Sequence, residues 1–136
     1  MQFATQVHGR DSTVRSAGDQ MEFAMGEDPR SLFRNFSPLR YGAPFFYGRV
    51  HDMVLIFIFR PNPWLRFAHS PTGGTRTAAG DDSNPAWDFQ LVMPETEALK
   101  GMALDLRVVY KQWAGRDDVL REVRNWLGAD ALLKPE

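Results

Sequence analysis

The chain has 136 residues, of which 43% are hydrophobic and 12% are aromatic. This is enough apolar material for one hydrophobic core and too little for two, so we expect a single domain over residues 1–136. The 16 basic and 17 acidic side chains leave a formal net charge of −1. Because the charges are interspersed, they give no electrostatic reason to expect nucleic acid or a membrane surface as a partner.

The sequence lacks several features that would indicate secretion, a membrane span or a cysteine-based site. The chain contains no cysteine, which excludes a disulfide framework, a thiolate nucleophile and cysteine-ligated zinc. Residues 1–10 alternate polar and apolar side chains and lack the charged start and apolar run of a secretory signal. The longest apolar run, Met53–Phe59, is far shorter than the roughly 20 residues that cross a bilayer. We therefore expect a soluble, cytoplasmic protein.

Alternation of polar and apolar residues predicts strands in the N-terminal part of the chain. It is present over residues 3–7 and again over residues 20–25, and glycine and polar residues at 9–12 interrupt it. Residues 26–40 contain two prolines and scattered aromatic side chains. This composition predicts a packed loop with one helical turn at residues 31–35.

The strongest strand signal lies in the middle of the chain, from residue 45 onward. The run Met53–Phe59 is continuous, apolar and rich in β-branched and aromatic residues, which predicts a central strand buried on both faces. Residues 60–63 include two prolines and predict a turn, and residues 64–70 alternate again. We therefore expect these two strands to form a hairpin.

Residues 71–85 combine three glycines with two prolines and small polar residues, a composition that predicts a long surface loop. Alternation then returns over residues 87–93 and over residues 102–110. We expect a strand at each of these places, joined by a turn at residues 94–101.

The pattern changes to a helical period near the C-terminus. Asp117 and Asp118 suit the positive N-terminal end of a helix, and Gly128 suits its C-cap. The apolar residues that recur at helical spacing are Val119, Leu120, Val123, Trp126 and Leu127. The expected fold is therefore mainly β, an antiparallel sheet or sandwich with one C-terminal amphipathic α-helix, and α+β if the helix packs on the sheet.

Known motifs of metal, nucleotide and nucleophile sites do not occur in the sequence. His8, His51 and His69 are far apart and show no ligand spacing, so no metal is predicted. Residues 71–76 lack the pattern of a phosphate-binding loop, and no serine lies in a GxSxG elbow. We predict no cofactor.

A set of polar and aromatic residues on strands beside the predicted core forms the candidate site. The predicted ligand-binding residues are Tyr47, Arg49, Arg66, Trp87 and Gln90, and the predicted catalytic residues of an enzyme are His69 and Asp88. Aromatic platforms with arginine, aspartate and glutamine groups suit a small polar ligand such as a sugar. The alternative is an arginine–aspartate surface pair on the solvated side of a sheet, with the aromatic residues simply packed.

Segments between residue 41 and about residue 126 resemble a set of uncharacterised bacterial proteins of the galactose-mutarotase-like β-supersandwich type. The segments are PFFYG at 44–48, DMVLI at 52–56, RFAHSP at 66–71, NPAWDF at 84–89 and the ending at 113–126. The resemblance implies antiparallel sheets and a carbohydrate-related role, with an active site of a carboxylate, a histidine and an arginine. The chain is shorter than such domains, and none of its residues matches a catalytic motif of the family.

Three functions follow from these expectations. The first is binding of a small polar, carbohydrate-like ligand on a β-sheet surface. The second is a sugar isomerase or epimerase in which His69 and Asp88 exchange a proton at a sugar carbon. The third is a homo-oligomeric interaction module without catalysis. A homodimer is expected because the one helix can cover only part of one face of the sheet that contains Met53–Phe59.

Overall fold

The computed structural model describes residues 2–3, 12–20, 36–70, 86–92, 101 and 103–132. These residues form eight strands, one α-helix and a short terminal 3₁₀ helix. The chain divides into two compact units, one of residues 1–6, 42–62 and 102–136 and the other of residues 7–41 and 63–101. The single domain over residues 1–136 stays a prediction.

The strands belong to two four-stranded sheets. They are β1 (Gln2–Phe3), β2 (Ser12–Ser16), β3 (Phe36–Tyr41), β4 (Phe45–Val50), β5 (Met53–Phe59), β6 (Leu65–Ser70), β7 (Ala86–Leu91) and β8 (Leu106–Gln112). Sheet 1 has the order β1-β4-β5-β8 and sheet 2 the order β3-β2-β6-β7. All pairs are antiparallel except β2 with β3. The predicted fold class, mainly antiparallel β with one helix near the C-terminus, is confirmed.

Sheet 1 has its core on the face that carries the helix α1 (Arg116–Leu127). Three alternating residues of β5 point to this face and are fully buried, and Val119 and Val123, one helical turn apart, pack against them. The β5 residues are Val54, Ile56 and Ile58. On the opposite face of β5, three of the four side chains are only half-buried: Met53, Leu55 and Phe57. The predicted burial on both faces is thus complete on one face and partial on the other.

The helix begins and ends where the sequence predicts. Asp117 and Asp118 occupy the first turn, where their negative charge complements the helix dipole. Gly128 follows the last turn with a φ of 105°, and its N–H donates to the carbonyl of Arg124 at 2.8 Å. A positive φ of this size strongly favours glycine, so the sequence position of Gly128 sets the end of the helix.

The predicted pairing of β5 with β6 is wrong, because the two strands lie in different sheets. Both edges of β5 are taken, one by β4 and the other by β8, so no edge is left for β6. The connecting residues 60–64 contain Pro61 and Pro63, and a proline has no backbone N–H to donate to a hairpin ladder. The strands β7 and β8 belong to different sheets, and most of the turn predicted between them, at residues 94–101, lies outside the described residues.

Two strands of sheet 2 occur where the sequence predicts none. Strand β2 covers residues 12–16, of which only residue 12 falls in the predicted interruption, and β3 covers residues 36–41, most of which fall in the predicted loop. Strand β2 is mostly polar, and serine, proline and arginine interrupt the apolar residues of β3, so neither shows the apolar alternation that identifies a strand. Pro38 is tolerated because β3 is an edge strand of its sheet. The predicted strand at 20–25, the helical turn at 31–35 and the loop at 71–85 lie at least partly outside the described residues.

An ion-pair cluster joins α1 to β8. The ammonium of Lys111 lies 2.6 Å from Oδ2 of Asp118 and 2.8 Å from Oε1 of Glu122. The guanidinium of Arg107 lies 3.1 Å from Oε2 of Glu122, and Arg121 donates to Asp118 within the helix. Three cations thus share two carboxylates, so each acid bridges strand and helix.

This cluster predicts an acid-dependent loss of stability. The hydrogen bond from Lys111 lowers the pKa of Asp118 below its ordinary value of 3.8. Because the pKa of Asp118 is lower in the folded state than in the unfolded state, the ionised carboxylate stabilises the fold at pH values above the unfolded-state pKa. This stabilisation is lost as the pH falls through the folded-state pKa. The free energy of unfolding should therefore decline below about pH 4. We expect Asp118→Asn to lower the stability at pH 7 and to flatten this acid decline in urea titrations.

The exposed neighbour Asp117 provides the matched control. Asp117→Asn removes one carboxylate from the same helical turn without removing the partner of Lys111. It should leave the steepness of the acid decline close to that of the unmodified protein. An acid decline that is equally steep in Asp118→Asn and in the unmodified protein would contradict the assignment.

Candidate functional site

The structure distributes the predicted site residues over both sheets. Tyr47 and Arg49 lie on β4 of sheet 1. The other five lie on the paired strands β6 and β7 of sheet 2: Arg66, His69, Trp87, Asp88 and Gln90. The structure therefore brings five of the seven predicted residues onto one pair of neighbouring strands.

The two residues on β4 belong to the packing of sheet 1. The ring of Tyr47 is buried in the core and stacks on Trp113 with 6.1 Å between ring centroids. The guanidinium of Arg49 lies 5.2 Å from the centroid of the same tryptophan, and its Nε donates to the carbonyl of His51 at 2.9 Å. These contacts fit the packing alternative, and a ligand-binding role of Tyr47 and Arg49 stays a prediction.

One face of sheet 2 is aromatic. The rings of Tyr41 and Phe67 stack with centroids 4.4 Å apart, and Phe89 meets Phe67 edge-on at 5.7 Å. The hydroxyl of Tyr41 donates to the carbonyl of Leu65 at 2.5 Å. Burial raises the pKa of Tyr41 well above its ordinary value of 10.0, so the phenol stays protonated and keeps this hydrogen bond at physiological pH.

The opposite face of sheet 2 is polar. Directly paired residues of neighbouring strands share a face, and the register pairs Arg15 with Arg66, Arg66 with Gln90, and Ala68 with Asp88. The parallel pairing of β2 with β3 adds Arg40 opposite Arg15. We call this surface the polar face and define it by Thr13, Arg15, Phe36, Arg40, Arg66, Asp88 and Gln90.

A buried ion pair lies at the centre of the polar face. Arg66 is fully buried, and its Nε lies 3.2 Å from Oδ2 of Asp19, whose side chain is also buried. The ring of Phe36 lies 5.5 Å from the guanidinium of Arg66 and 4.9 Å from that of Arg15. Two arginines therefore contact one aromatic ring, an arrangement favoured by the attraction between a cation and the π-electrons of the ring.

Positive charge is concentrated around Arg15. Burial lowers the pKa of Arg15 below its ordinary value of 12.5, and the neighbouring charges of Arg40 and Arg66 lower it further, while Asp19 opposes them. Arginine remains charged at neutral pH in spite of such a shift. The register places Arg15 between Arg40 on β3 and Arg66 on β6, so an anion beside Arg15 and Arg40 would be stabilised.

The side-chain amide of Gln90 is buried without a hydrogen-bond partner among the described residues. Both its Oε1 and its Nε2 are inaccessible to solvent and lack a partner. A buried polar group of this kind costs about 1–3 kcal/mol relative to a satisfied one. Such groups are rare in folded proteins, and they commonly occur where a bound ligand or water supplies the partner.

The predicted catalytic pair is only partly described. The backbone register places His69 opposite Trp87 and places Asp88 opposite Ala68. The side chain of His69 lies outside the described part of the structure, so the isomerase hypothesis stays a prediction. Among the residues that the structure describes, no group of three or more histidine, aspartate or glutamate side chains could hold a metal ion.

Sequence reasoning missed the residues that β2 and β3 contribute to the polar face. Arg15, Asp19, Phe36 and Arg40 lie in or next to strands that the apolar pattern did not predict. The signal that could have found β2 is the alternation of Thr13 and Arg15 with Val14. This alternation does not identify β2 as a strand, because the residues on the buried face of β2 are polar instead of apolar.

Comparisons with protein-family models, curated proteins and solved structures find no match for this chain. The resemblance to the galactose-mutarotase-like proteins therefore stays a prediction. The helices within the described ranges are too short or too polar to span a membrane.

Because the amide of Gln90 has no partner among the described residues, we expect its removal to stabilise the protein. Replacing Gln90 with leucine removes a buried polar group that has no partner and keeps a side chain of similar volume. We expect Gln90→Leu to raise the free energy of unfolding by about 1 kcal/mol or more, measured by urea denaturation. The exposed Gln20 provides the control, since Gln20→Leu should change stability little. A destabilised Gln90→Leu variant would show that the amide has a structural partner.

Proposed function

We propose that the polar face of sheet 2 binds a small polar ligand that carries a carboxylate or phosphate group together with hydroxyl groups. Sugar acids and sugar phosphates are ligands of this class. The observation that carries the proposal is the buried amide of Gln90, which has no hydrogen-bond partner within the described residues and lies in register with the fully buried Arg66.

The arginines of the polar face suit the anionic group of such a ligand. A guanidinium presents five N–H donors in a planar fork that matches the oxygens of a carboxylate or phosphate. Arg40 is exposed and Arg15 is half-buried, so both can meet a ligand that approaches from solvent. Arg66 lies deeper and is held by Asp19, which makes it a positioning residue for the face.

The neutral part of the ligand is matched by Gln90 and Asp88. An amide donates and accepts hydrogen bonds, as a sugar hydroxyl does, and a carboxylate accepts from hydroxyl groups. Gln90 and Asp88 are two residues apart on β7 and therefore point to the same face. A ligand with both an anionic end and hydroxyl groups would use the arginines and the β7 residues together.

The proposal is tested by calorimetric titration at low salt with galacturonate, glucose 6-phosphate and neutral galactose as probes. We expect at least one of the two anionic sugars to bind and galactose to bind more weakly. Loss of a charge-assisted hydrogen bond in Arg40→Gln should weaken binding by roughly tenfold or more, and Gln90→Leu should do the same.

The control variant is Arg116→Gln, which removes an exposed arginine from the helix in the other unit. It changes the net charge as Arg40→Gln does and should leave the affinity unchanged. The proposal fails if no probe binds, or if binding is equally strong in Arg40→Gln, Gln90→Leu and the control.

A further inference from the structure

Strand β8 presents an apolar row at the edge of sheet 1. It is the last strand in the order β1-β4-β5-β8. Three alternating residues on one of its faces are exposed, Leu106 at 43%, Val108 at 51% and Tyr110 at 66%. Neither the hydrophobic core nor the helix covers this row, since α1 packs on the other face of the sheet.

The backbone groups of the same three residues point away from the sheet. The N–H of Trp113 donates to Asp52, and the N–H of Arg60 donates to the carbonyl of Asp105. In an antiparallel ladder these bonds alternate, so the backbone groups of Arg107, Val109 and Lys111 also face β5. Those of Leu106, Val108 and Tyr110 therefore face outward, and an edge of this kind is a template for pairing with another strand.

The charges that usually protect such an edge lie on the helix-bearing face of β8. Lysine and arginine side chains on an edge strand normally discourage pairing. In β8 these residues are Arg107 and Lys111, which pair in register with Ile58 and Val54 and form ion pairs with acids of α1. Both side chains are thus held on the face opposite the exposed apolar row and do not shield that row.

We propose that β8 pairs in antiparallel fashion with β8 of a second copy of the chain, with Val108 facing its own counterpart. In this register every exposed apolar residue of one copy faces an exposed apolar residue of the other. Leu106 faces Tyr110 of the second copy, and Tyr110 faces Leu106 of the second copy, on either side of the two-fold axis. Each facing pair exchanges two backbone hydrogen bonds. Asp105 then lies opposite Lys111 of the second copy, which joins opposite charges.

The neighbouring registers are disfavoured by charge. A two-fold axis at residue 107 places Arg107 opposite its own copy, and an axis at residue 109 places Arg107 opposite Lys111. Like charges directly opposite each other in a sheet are destabilising. Axes at residue 106 or 110 avoid these contacts but leave part of the exposed apolar row unmatched.

The expected assembly is a weak, reversible dimer. Contact along one strand edge with three apolar residues from each copy is smaller than the roughly 1,200 Å² of total buried surface that stable interfaces exceed. Dimerisation should therefore depend on concentration in the micromolar range or above. It also differs from the dimer predicted from sequence, which covers the open face of β5 and buries more surface.

Sedimentation velocity over a concentration series, with two variants, tests the interface. We expect a shift from monomer to dimer as concentration rises. Val108→Pro removes an outward-facing N–H without removing a bond to β5, and it should abolish the shift. Asp105→Lys, which places like charges opposite each other, should raise the dissociation constant by roughly tenfold or more. Asp130→Lys, with the same change in net charge at an exposed position, should not.

The register is tested by single cysteines, because the chain has no cysteine of its own. Val108→Cys should form a disulfide-linked dimer under mild oxidation, whereas Leu106→Cys alone should not, since its counterpart lies too far along the second strand. The double variant with Leu106→Cys and Tyr110→Cys should cross-link. A chain that stays monomeric at high concentration overturns the proposal. So does a dimer that is unaffected by Val108→Pro and Asp105→Lys, or cross-linking by Leu106→Cys in place of Val108→Cys.

Discussion

The ion pair between Arg66 and Asp19 is the contact on which sheet 2 depends. Both side chains are withdrawn from solvent, and removing either partner from a buried pair costs about 3–5 kcal/mol, because the other charge remains uncompensated. The pair therefore holds the segment after β2 against β6, which is also the neighbour of β2 in the sheet. With a charge at its centre, this face of the sheet favours polar neighbours, whereas the stacked rings of Tyr41, Phe67 and Phe89 lie on the other face.

The hydrophobic pattern predicted the parts of the fold that depend on apolar burial. Strand β5 and helix α1 bury valine and isoleucine side chains at their characteristic periods, and both occur at the predicted places. Strand β2 buries Thr13 and pairs Arg15 with Arg66, so its stabilising face has no apolar signature. Strand pairing was also not predictable, because a local pattern shows which face of a strand is buried but not which strand lies beside it.

The sequence predicted some residues of the candidate site but not how the strands that carry them are arranged. Arg66, Trp87, Asp88 and Gln90 were recognised as polar or aromatic groups next to the core, and the structure places them on paired strands. Arg66, Asp88 and Gln90 share the polar face, whereas Trp87, next to Asp88 on β7, lies on the other face. The assignment of Tyr47 and Arg49 to the same surface did not anticipate that β4 belongs to another sheet. The arginines of β2 and β3 were missed because their strands were missed. A site made from strands distant in sequence requires the pairing to be known first.

Ligand binding at the polar face of sheet 2 can be measured residue by residue with two-dimensional NMR and side-chain assignments. On titration with galacturonate or glucose 6-phosphate, we expect the side-chain amide signals of Gln90 and the guanidinium signals of Arg15 and Arg40 to shift together in a saturable manner. The amide signals of the exposed Gln20 should stay in place. Saturable shifts confined to residues of sheet 1, or the absence of any saturable shift with either sugar, would show that the polar face does not bind these ligands.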